Sequence, residues 1–128
     1  MISESLAAGI RVGDLGSTFG GGPVPCAAAL ATLDVIASEG LIANAREVGE
    51  HLSSTARRLK AVIGVDGRGL LLGLRLDRPA AEVQKALFQR RILTGTATDP
   101  AILRLIPPLS FAIREADLLL NGLQEVLA

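Results

Sequence analysis

The sequence predicts a small α/β protein, in an α+β arrangement whose helices pack on one face of a small, largely antiparallel sheet. Its 128 residues are 49% hydrophobic and 20% charged, which is typical of a globular chain that can bury one core. From Leu41 onward the predicted order is helix, two strands, helix, two strands, helix, and this order favours helices layered on a sheet. Tyr and Trp are absent and Phe occurs three times, so the core must be built from Leu, Ile, Val and Ala.

Charge and composition argue against several classes of partner. Thirteen basic and thirteen acidic side chains give a net charge of zero, which argues against binding to a nucleic-acid backbone. One cysteine and one histidine form neither a disulfide framework nor a zinc site. The apolar stretch Val24–Ile36, interrupted by Pro25 and Asp34, is too short to span a bilayer. We therefore expect a cytoplasmic protein that binds no nucleic acid, membrane or metal.

The first part of the chain combines a glycine-rich segment with a helix of small residues. Seven of the thirteen residues from 13 to 25 are Gly or Pro, which is typical of a loop whose backbone approaches something closely. Residues 24–39 are small or aliphatic and predict a helix, with Pro23 near its start and Gly40 at its end. Within this helix, Cys26 is interpreted as a small buried thiol.

The remaining elements follow from changes in hydrophobic period. Apolar residues at intervals of three or four predict a second helix over Leu41–Ile63. Val65–Arg68 and Leu70–Leu76 have the composition of two strands around a glycine turn, and Pro79 begins a short helix. Two strands and a terminal amphipathic helix complete the chain: Ile92–Thr94, Ile102–Ile106 and Ile113–Leu127.

Ser17 and Thr18 carry the main chemical groups of the glycine-rich segment. They stand directly before Phe19 and three glycines, and hydroxyls together with free backbone N–H groups are what a phosphate requires. No lysine ends the loop, so it is not a nucleotide-binding P-loop. The alternative is a glycine turn with a capping hydroxyl, and both interpretations stay open.

Arg104 is a lone charge inside an apolar strand. A guanidinium there either meets a carboxylate or phosphate, or lies on a solvated sheet face, and the pattern leaves both open. The remaining polar residues favour structural roles. Arg68 lies between two glycines as a turn residue, and His51 is a surface or boundary histidine. The only lysines, Lys60 and Lys85, lie on polar helix faces, where a nucleophilic amine is not expected.

Five ordered motifs carry a family resemblance that covers essentially the whole chain. They are Gly16–Pro23, Cys26–Leu30, Asp34–Leu41, Gly67–Gly73 and Leu103–Leu109. Together they resemble the carboxy-terminal part of class III pyridoxal-phosphate aminotransferases, most closely the acetylornithine and ornithine aminotransferase branch. The resemblance implies a fold-type I transferase, in which residues 1–40 end the large cofactor-binding domain and residues 41–128 form the small carboxy-terminal domain.

The resemblance also implies a role for each candidate site residue. Thr18 matches the threonine that contacts the phosphate of pyridoxal 5'-phosphate across the interface of a homodimer, whose site is shared between the subunits. Ser17 matches a serine beside the substrate. Arg104 matches the arginine that clamps a substrate carboxylate, and its planar fork suits that task.

Three positions depart from the family pattern, and one essential group is missing. Leu15 stands where the family usually has His, Gly22 where it has Asn, and Ala112 where a helix-capping Thr or Ser is expected. The Schiff-base lysine belongs to the family's upstream segment. We therefore expect this chain to be a fragment that is inactive by itself.

The implied activity is that of the parent enzyme. It moves an amino group from N-acetylornithine, or a similar omega-amine donor, to 2-oxoglutarate in arginine biosynthesis. The alternatives are a 4-aminobutyrate or ornithine aminotransferase fragment, or a non-catalytic α+β module that binds a small anion or a partner chain.

Overall fold

The computed structural model describes residues 2–11 and 13–128, and these divide into two units. The first unit ends at Val35 and the second spans Ile36–Ala128. Two helices begin in the first unit, α1 over Glu4–Ala7 and α2 over Pro23–Ser38. The domain boundary at residues 40 and 41, which rests on the family resemblance, stays a prediction.

Helix α2 is mostly apolar, with Asp34 as its one charged residue, and it buries none of its side chains. It agrees with the predicted helix to within one residue at each end, because Pro23 suits a first turn and Gly40, at φ 64°, ends the helical path. Val24 is 81% exposed and Leu30 63% exposed. The prediction of a buried Cys26 is wrong, since the thiol is exposed, as no side chain of this helix is buried.

The second unit is a four-stranded antiparallel sheet covered by helices. The strands are β1 (Val62–Arg68), β2 (Leu71–Leu76), β3 (Gly95–Thr96) and β4 (Ile102–Leu105), in the order β1-β2-β4-β3. All three neighbouring pairs are antiparallel. The helices are α3 (Leu41–Ala56), α4 (Ala80–Gln89) and α5 (Ile113–Leu127). The predicted arrangement of helices on a small antiparallel sheet is confirmed.

One face of the sheet carries the core. Alternate residues of β2 and β4 point towards the helices, so Leu74 and Leu103 are fully buried while Arg104 is exposed. The helices meet this layer with Leu52, Leu87 and other aliphatic side chains. The opposite face of the sheet therefore remains open, and Arg104 lies on it. Among the described residues, no single helix is long and apolar enough to cross a membrane, and α2 and α3 reach that length only as a broken pair.

The second predicted helix is too long by seven residues. α3 ends at Ala56, and Ile63, predicted as its last residue, lies in β1. Ile63 continues the apolar spacing of α3 only by coincidence, because it belongs to a strand in which Val62 and Val65 are the buried residues. Ile63 is the extra residue of a bulge and is 64% exposed.

The predicted strand Ile92–Thr94 is also wrong, since β3 begins at Gly95. The end of α4 explains the difference. The backbone N–H of Arg91 donates to the carbonyl of Phe88 at 2.9 Å, and Ile92 N–H donates to the carbonyl of Leu87 at 3.0 Å. These bonds form a Schellman ending, which draws Ile92 back onto the helix and away from the sheet.

Arg91→Gly is expected to stabilise the protein by about 0.5–1 kcal/mol, because Arg91 occupies the left-handed position of the Schellman ending at φ 62°. Urea unfolding measures the change. Gln89→Gly, two residues earlier and still within α4, is the control and is expected to destabilise the protein by about 1 kcal/mol. Equal stability of Arg91→Gly and the parent would contradict the strain assigned to Arg91.

Helix α5 begins with half of a capping box. The backbone N–H of Ala112 donates to Glu115 Oε2 at 3.2 Å, but the alanine side chain has no oxygen to return the contact. Ala112→Ser is expected to add about 1 kcal/mol to the free energy of unfolding, and Ala112→Gly a few tenths less, because glycine is also tolerated at an N-cap. Thermal unfolding of both variants tests this, and a serine variant no more stable than the glycine one would contradict it.

Candidate functional site

The glycine-rich segment uses Ser17 to close a turn. The backbone N–H of Gly20 donates to Ser17 Oγ at 2.9 Å, which is the capping role considered as the alternative for this residue. Thr18 is exposed, and its hydroxyl makes no hydrogen bond within the described chain. Gly21 has φ 76°, and a Cβ added there would meet no atom within 4 Å.

This segment can supply one contact to a phosphate group. Thr18 has a free hydroxyl donor, and the neighbouring glycines keep the backbone open to a close approach. It contains no lysine, so a cofactor could not be bound covalently here. The residues present fit a phosphate contact contributed to a larger site.

Arg104 lies at the centre of the open sheet face. It pairs with Gly73 of β2 on one side and with Gly95 of β3 on the other. Its side chain makes no hydrogen bond or ion pair within the described part of the chain. An unpaired guanidinium with five donors in a planar fork can bind a carboxylate through two parallel hydrogen bonds.

A groove of about 620 Å³ runs beside Arg104. Most of its walls are apolar, and they include Ile106, Pro107, Phe111 and Leu118. Arg91 and Glu115 also line the groove, but Glu115 already accepts the N–H of Ala112. The groove therefore suits a molecule that combines a carboxylate with a short apolar segment.

The candidate residues predicted from the sequence fall into different units. Ser17 and Thr18 belong to the first unit and Arg104 to the second. Gly95 lies between the two strands predicted at Ile92–Thr94 and Ile102–Ile106, yet it pairs with Arg104. Thr94 Oγ1, which also lines the groove, is buried without a hydrogen-bond partner. Neither the pairing of Gly95 with Arg104 nor the burial of Thr94 can be predicted from the sequence, because both depend on how the strands are arranged in the folded protein.

The other reactive side chains do not cluster into a site. In the described ranges, no group of three His, Cys, Asp or Glu side chains could hold a metal ion. His51 Nε2 lies 2.7 Å from Asp117 Oδ1, and this pair links α3 to α5. Lys60 and Lys85 are both exposed, so neither amine is desolvated.

Asp99 stabilises the loop that leads into β4. Its Oδ1 accepts the backbone N–H of Ala101 at 2.9 Å, and its Oδ2 accepts Arg75 Nη1 at 2.7 Å. Both contacts favour the charged carboxylate, the Ala101 bond most, and they hold the pKa of Asp99 below its ordinary value of 3.8. This stabilisation is complete above the ordinary pKa and is lost as the pH falls through the lower, folded-state pKa.

Asp99→Asn is expected to make the protein less sensitive to acid, because a neutral side chain removes this titration. The measurement is the urea midpoint at neutral pH and at a pH below 3.8. Glu47→Gln, at an exposed residue of α3 without a side-chain partner, is the matched control. If Asp99→Asn and the parent lose the same stability on acidification, the role of Asp99 is contradicted.

Comparison with known proteins gives the family. The family model for aminotransferase class III matches residues 1–127. Acetylornithine aminotransferase 1 from Bordetella bronchiseptica is 43% identical over 122 residues, which cover 91% of this chain and 31% of that protein. The chain therefore spans about a third of the length of the curated relatives it matches.

Solved structures share the fold. Acetylornithine aminotransferase from Elizabethkingia anophelis superposes with a TM-score of 0.79 at 30% identity, over 92% of this chain and 33% of that one. Ornithine aminotransferase from Toxoplasma gondii ME49 gives 0.77 at 28% identity, over 92% of this chain and 30% of that one. Sequence and fold agree with the resemblance carried by the motifs, and the chain belongs to the class III aminotransferases.

Proposed function

We propose that these residues form the carboxy-terminal part of an enzyme that transfers an amino group from N-acetylornithine, or a similar omega-amine donor, to 2-oxoglutarate. The observation that carries the proposal is the unpaired guanidinium of Arg104 beside an apolar groove, in a chain of aminotransferase ancestry. The curated relative from Bordetella is named for acetylornithine, which favours this donor. The reaction belongs to arginine biosynthesis in the cytoplasm.

Arg104 has the task of binding and orienting a substrate. Its guanidinium fork donates hydrogen bonds to a carboxylate at one end of the groove, and the apolar wall packs against the carbon chain of the substrate. Fixing one end of a flexible substrate lowers the entropy that must be lost before reaction.

Family membership implies pyridoxal 5'-phosphate as cofactor, and Thr18 is the residue we assign to its phosphate. The free hydroxyl of Thr18 and the open glycine backbone support this assignment, and Ser17 is assigned to the substrate side. When bound, the cofactor supplies the electron sink for moving an amino group. In the assembled enzyme, a homodimer, Thr18 serves the cofactor of the partner subunit.

These 128 residues are not expected to catalyse the transfer alone. A desolvated lysine is needed to hold the cofactor covalently and to move protons, and Lys60 and Lys85 are both exposed. The purified chain, mixed with cofactor, N-acetylornithine and 2-oxoglutarate, should form no glutamate. Glutamate formation that depends on either lysine would contradict this part of the proposal.

A chimera tests the proposed function. The segment of the Bordetella relative that matches this chain is replaced by this chain, and glutamate formation is measured with N-acetylornithine, ornithine and 4-aminobutyrate. We expect transfer with N-acetylornithine to be fastest. A matched chimera that carries the corresponding third of the Toxoplasma ornithine aminotransferase separates the contribution of the host segment. A folded chimera that transfers from no donor contradicts the proposal, and faster transfer from ornithine or 4-aminobutyrate favours those alternatives.

A non-catalytic module that binds a small anion or a partner chain is the second candidate. It is favoured by the second unit, which buries an aliphatic core of its own. The exposed apolar surface of α2 distinguishes the two candidates, because the aminotransferase proposal treats α2 as part of a larger core. Sedimentation of the isolated chain should then reveal self-association, and a monomer that ignores pyridoxal phosphate would favour the module.

A further inference from the structure

We infer that Gly95 is a positioning residue for Arg104, and that it holds the guanidinium over β3, at the wall of the groove. The inference rests on the proposed role of Arg104 as the carboxylate-binding residue. It extends that role to a second residue, which touches no substrate itself. Gly95 acts only through the space that its missing side chain leaves free.

The contact between the two residues is close. Gly95 and Arg104 are directly paired across β3 and β4. A Cβ built on Gly95 would lie 3.1 Å from Arg104 Nε, 3.2 Å from Nη2 and 3.6 Å from Cζ. The guanidinium therefore lies over the backbone of Gly95, and any side chain at this position would displace the Nε and Nη2 edge of the fork.

The opposite neighbour of Arg104 is closed to the guanidinium. Gly73 pairs with Arg104 from β2, so it offers the same lack of a side chain on the other flank. A Cβ built on Gly73 would meet Ile102 Cγ2 at 3.1 Å, which shows that the isoleucine covers this glycine. The two glycines are therefore not equivalent. Ile102 fills the space over Gly73, and Arg104 takes the space over Gly95.

The side on which the guanidinium lies determines where a carboxylate is held. Gly95 and Arg104 line the same groove, whereas Gly73 does not. A fork held over β3 faces that groove, and a displacement of even part of an ångström disturbs two parallel hydrogen bonds. Gly95 thus couples an edge strand of two residues to the orientation of the substrate.

The test uses the 128-residue chain, labelled with nitrogen-15, and glutarate as a dicarboxylate probe. The side-chain Nε–H resonance of Arg104, assigned by its loss in Arg104→Gln, reports the surroundings of the guanidinium. We expect Gly95→Ala to change the chemical shift of this resonance in the ligand-free protein, and to weaken glutarate binding about tenfold. Gly73→Ala, whose methyl group would meet Ile102, is the matched control and should leave both readouts as in the parent.

The experiment distinguishes the positioning role of Gly95 from the carboxylate-binding role of Arg104. Backbone resonances of Leu74 and Leu103 confirm that each variant is folded. If glutarate shifts the Arg104 resonance of the parent but Gly95→Ala behaves like the parent, the positioning role is wrong and the proposed role of Arg104 stands. If glutarate leaves the Arg104 resonance of the parent unchanged, the carboxylate-binding role is overturned, and this inference with it.

Discussion

Gly49→Ala is expected to destabilise the protein by about 1–3 kcal/mol, although alanine favours a helix over glycine. Gly49 lies in the middle of α3 and is buried. A Cβ added there would lie 2.7 Å from Gly69 Cα, and closer still to the carbonyl group of Gly69. The obstacle is backbone, which cannot rotate away, so α3 must move from the turn between β1 and β2.

Gly122→Ala in α5 provides the matched comparison. Its added Cβ would lie 2.5 Å from Ile92 Cδ1, which is the end of a flexible side chain. We expect a smaller loss than for Gly49→Ala, because Ile92 can change rotamer. Urea unfolding measures the stability of both variants, provided that the dependence of the unfolding free energy on urea concentration is the same as in the parent. A Gly49→Ala protein as stable as the parent would mean that α3 does not approach the turn this closely.

Arg104→Gln in the Bordetella chimera is expected to lower kcat/KM by at least about a hundredfold. The amide keeps hydrogen-bonding capacity but loses the charge and the planar fork that bind a carboxylate through two bonds. Arg104→Lys keeps the charge without the fork, so its kcat/KM should lie between those of the parent chimera and Arg104→Gln. Initial rates over a range of 2-oxoglutarate concentrations give the comparison.

Arg114→Gln is the control for this experiment. Arg114 is an exposed arginine of α5 without a side-chain partner among the described residues, so its loss removes the same charge elsewhere on the surface. It should change kcat/KM little. If Arg104→Gln and Arg114→Gln have equal activity, Arg104 lies on a solvated sheet face and binds no substrate.

Much of the fold follows from hydrophobic period and from punctuation by Gly and Pro. Helices α2, α4 and α5 lie close to their predicted positions, since Pro or Gly marks an end of α2 and α4 and a clean apolar face marks α5. β2 and β4 were also predicted to within one residue, because leucines alternate along both strands.

The errors arise where local pattern and tertiary contact disagree. Ile63 continues the helical spacing of α3 but belongs to a strand that the sheet holds. The segment Ile92–Thr94 has the composition of a strand, yet the backbone N–H of Ile92 caps the end of α4. Gly95 pairs with Arg104 only because β3 is added to the far edge of β4, and no local pattern specifies that order.

The candidate site was predictable only as separate residue types. A hydroxyl before glycines and an arginine within an apolar strand suggest anion contacts, and the motifs assign them to a family. The groove beside Arg104 is formed by β3, β4 and α5 together with the segments that precede β3 and join β4 to α5, so it has no sequence signature. The roles of Ser17, Thr18 and Arg104 stay predictions that the experiments above address.

The central claim is that these residues supply the phosphate contact and the carboxylate clamp of an aminotransferase whose lysine lies elsewhere. Its most direct test is to read the genomic DNA upstream of the first codon in the same frame. We predict an uninterrupted frame that encodes a large-domain segment with the Schiff-base lysine. A stop codon or unrelated sequence directly upstream would contradict the claim.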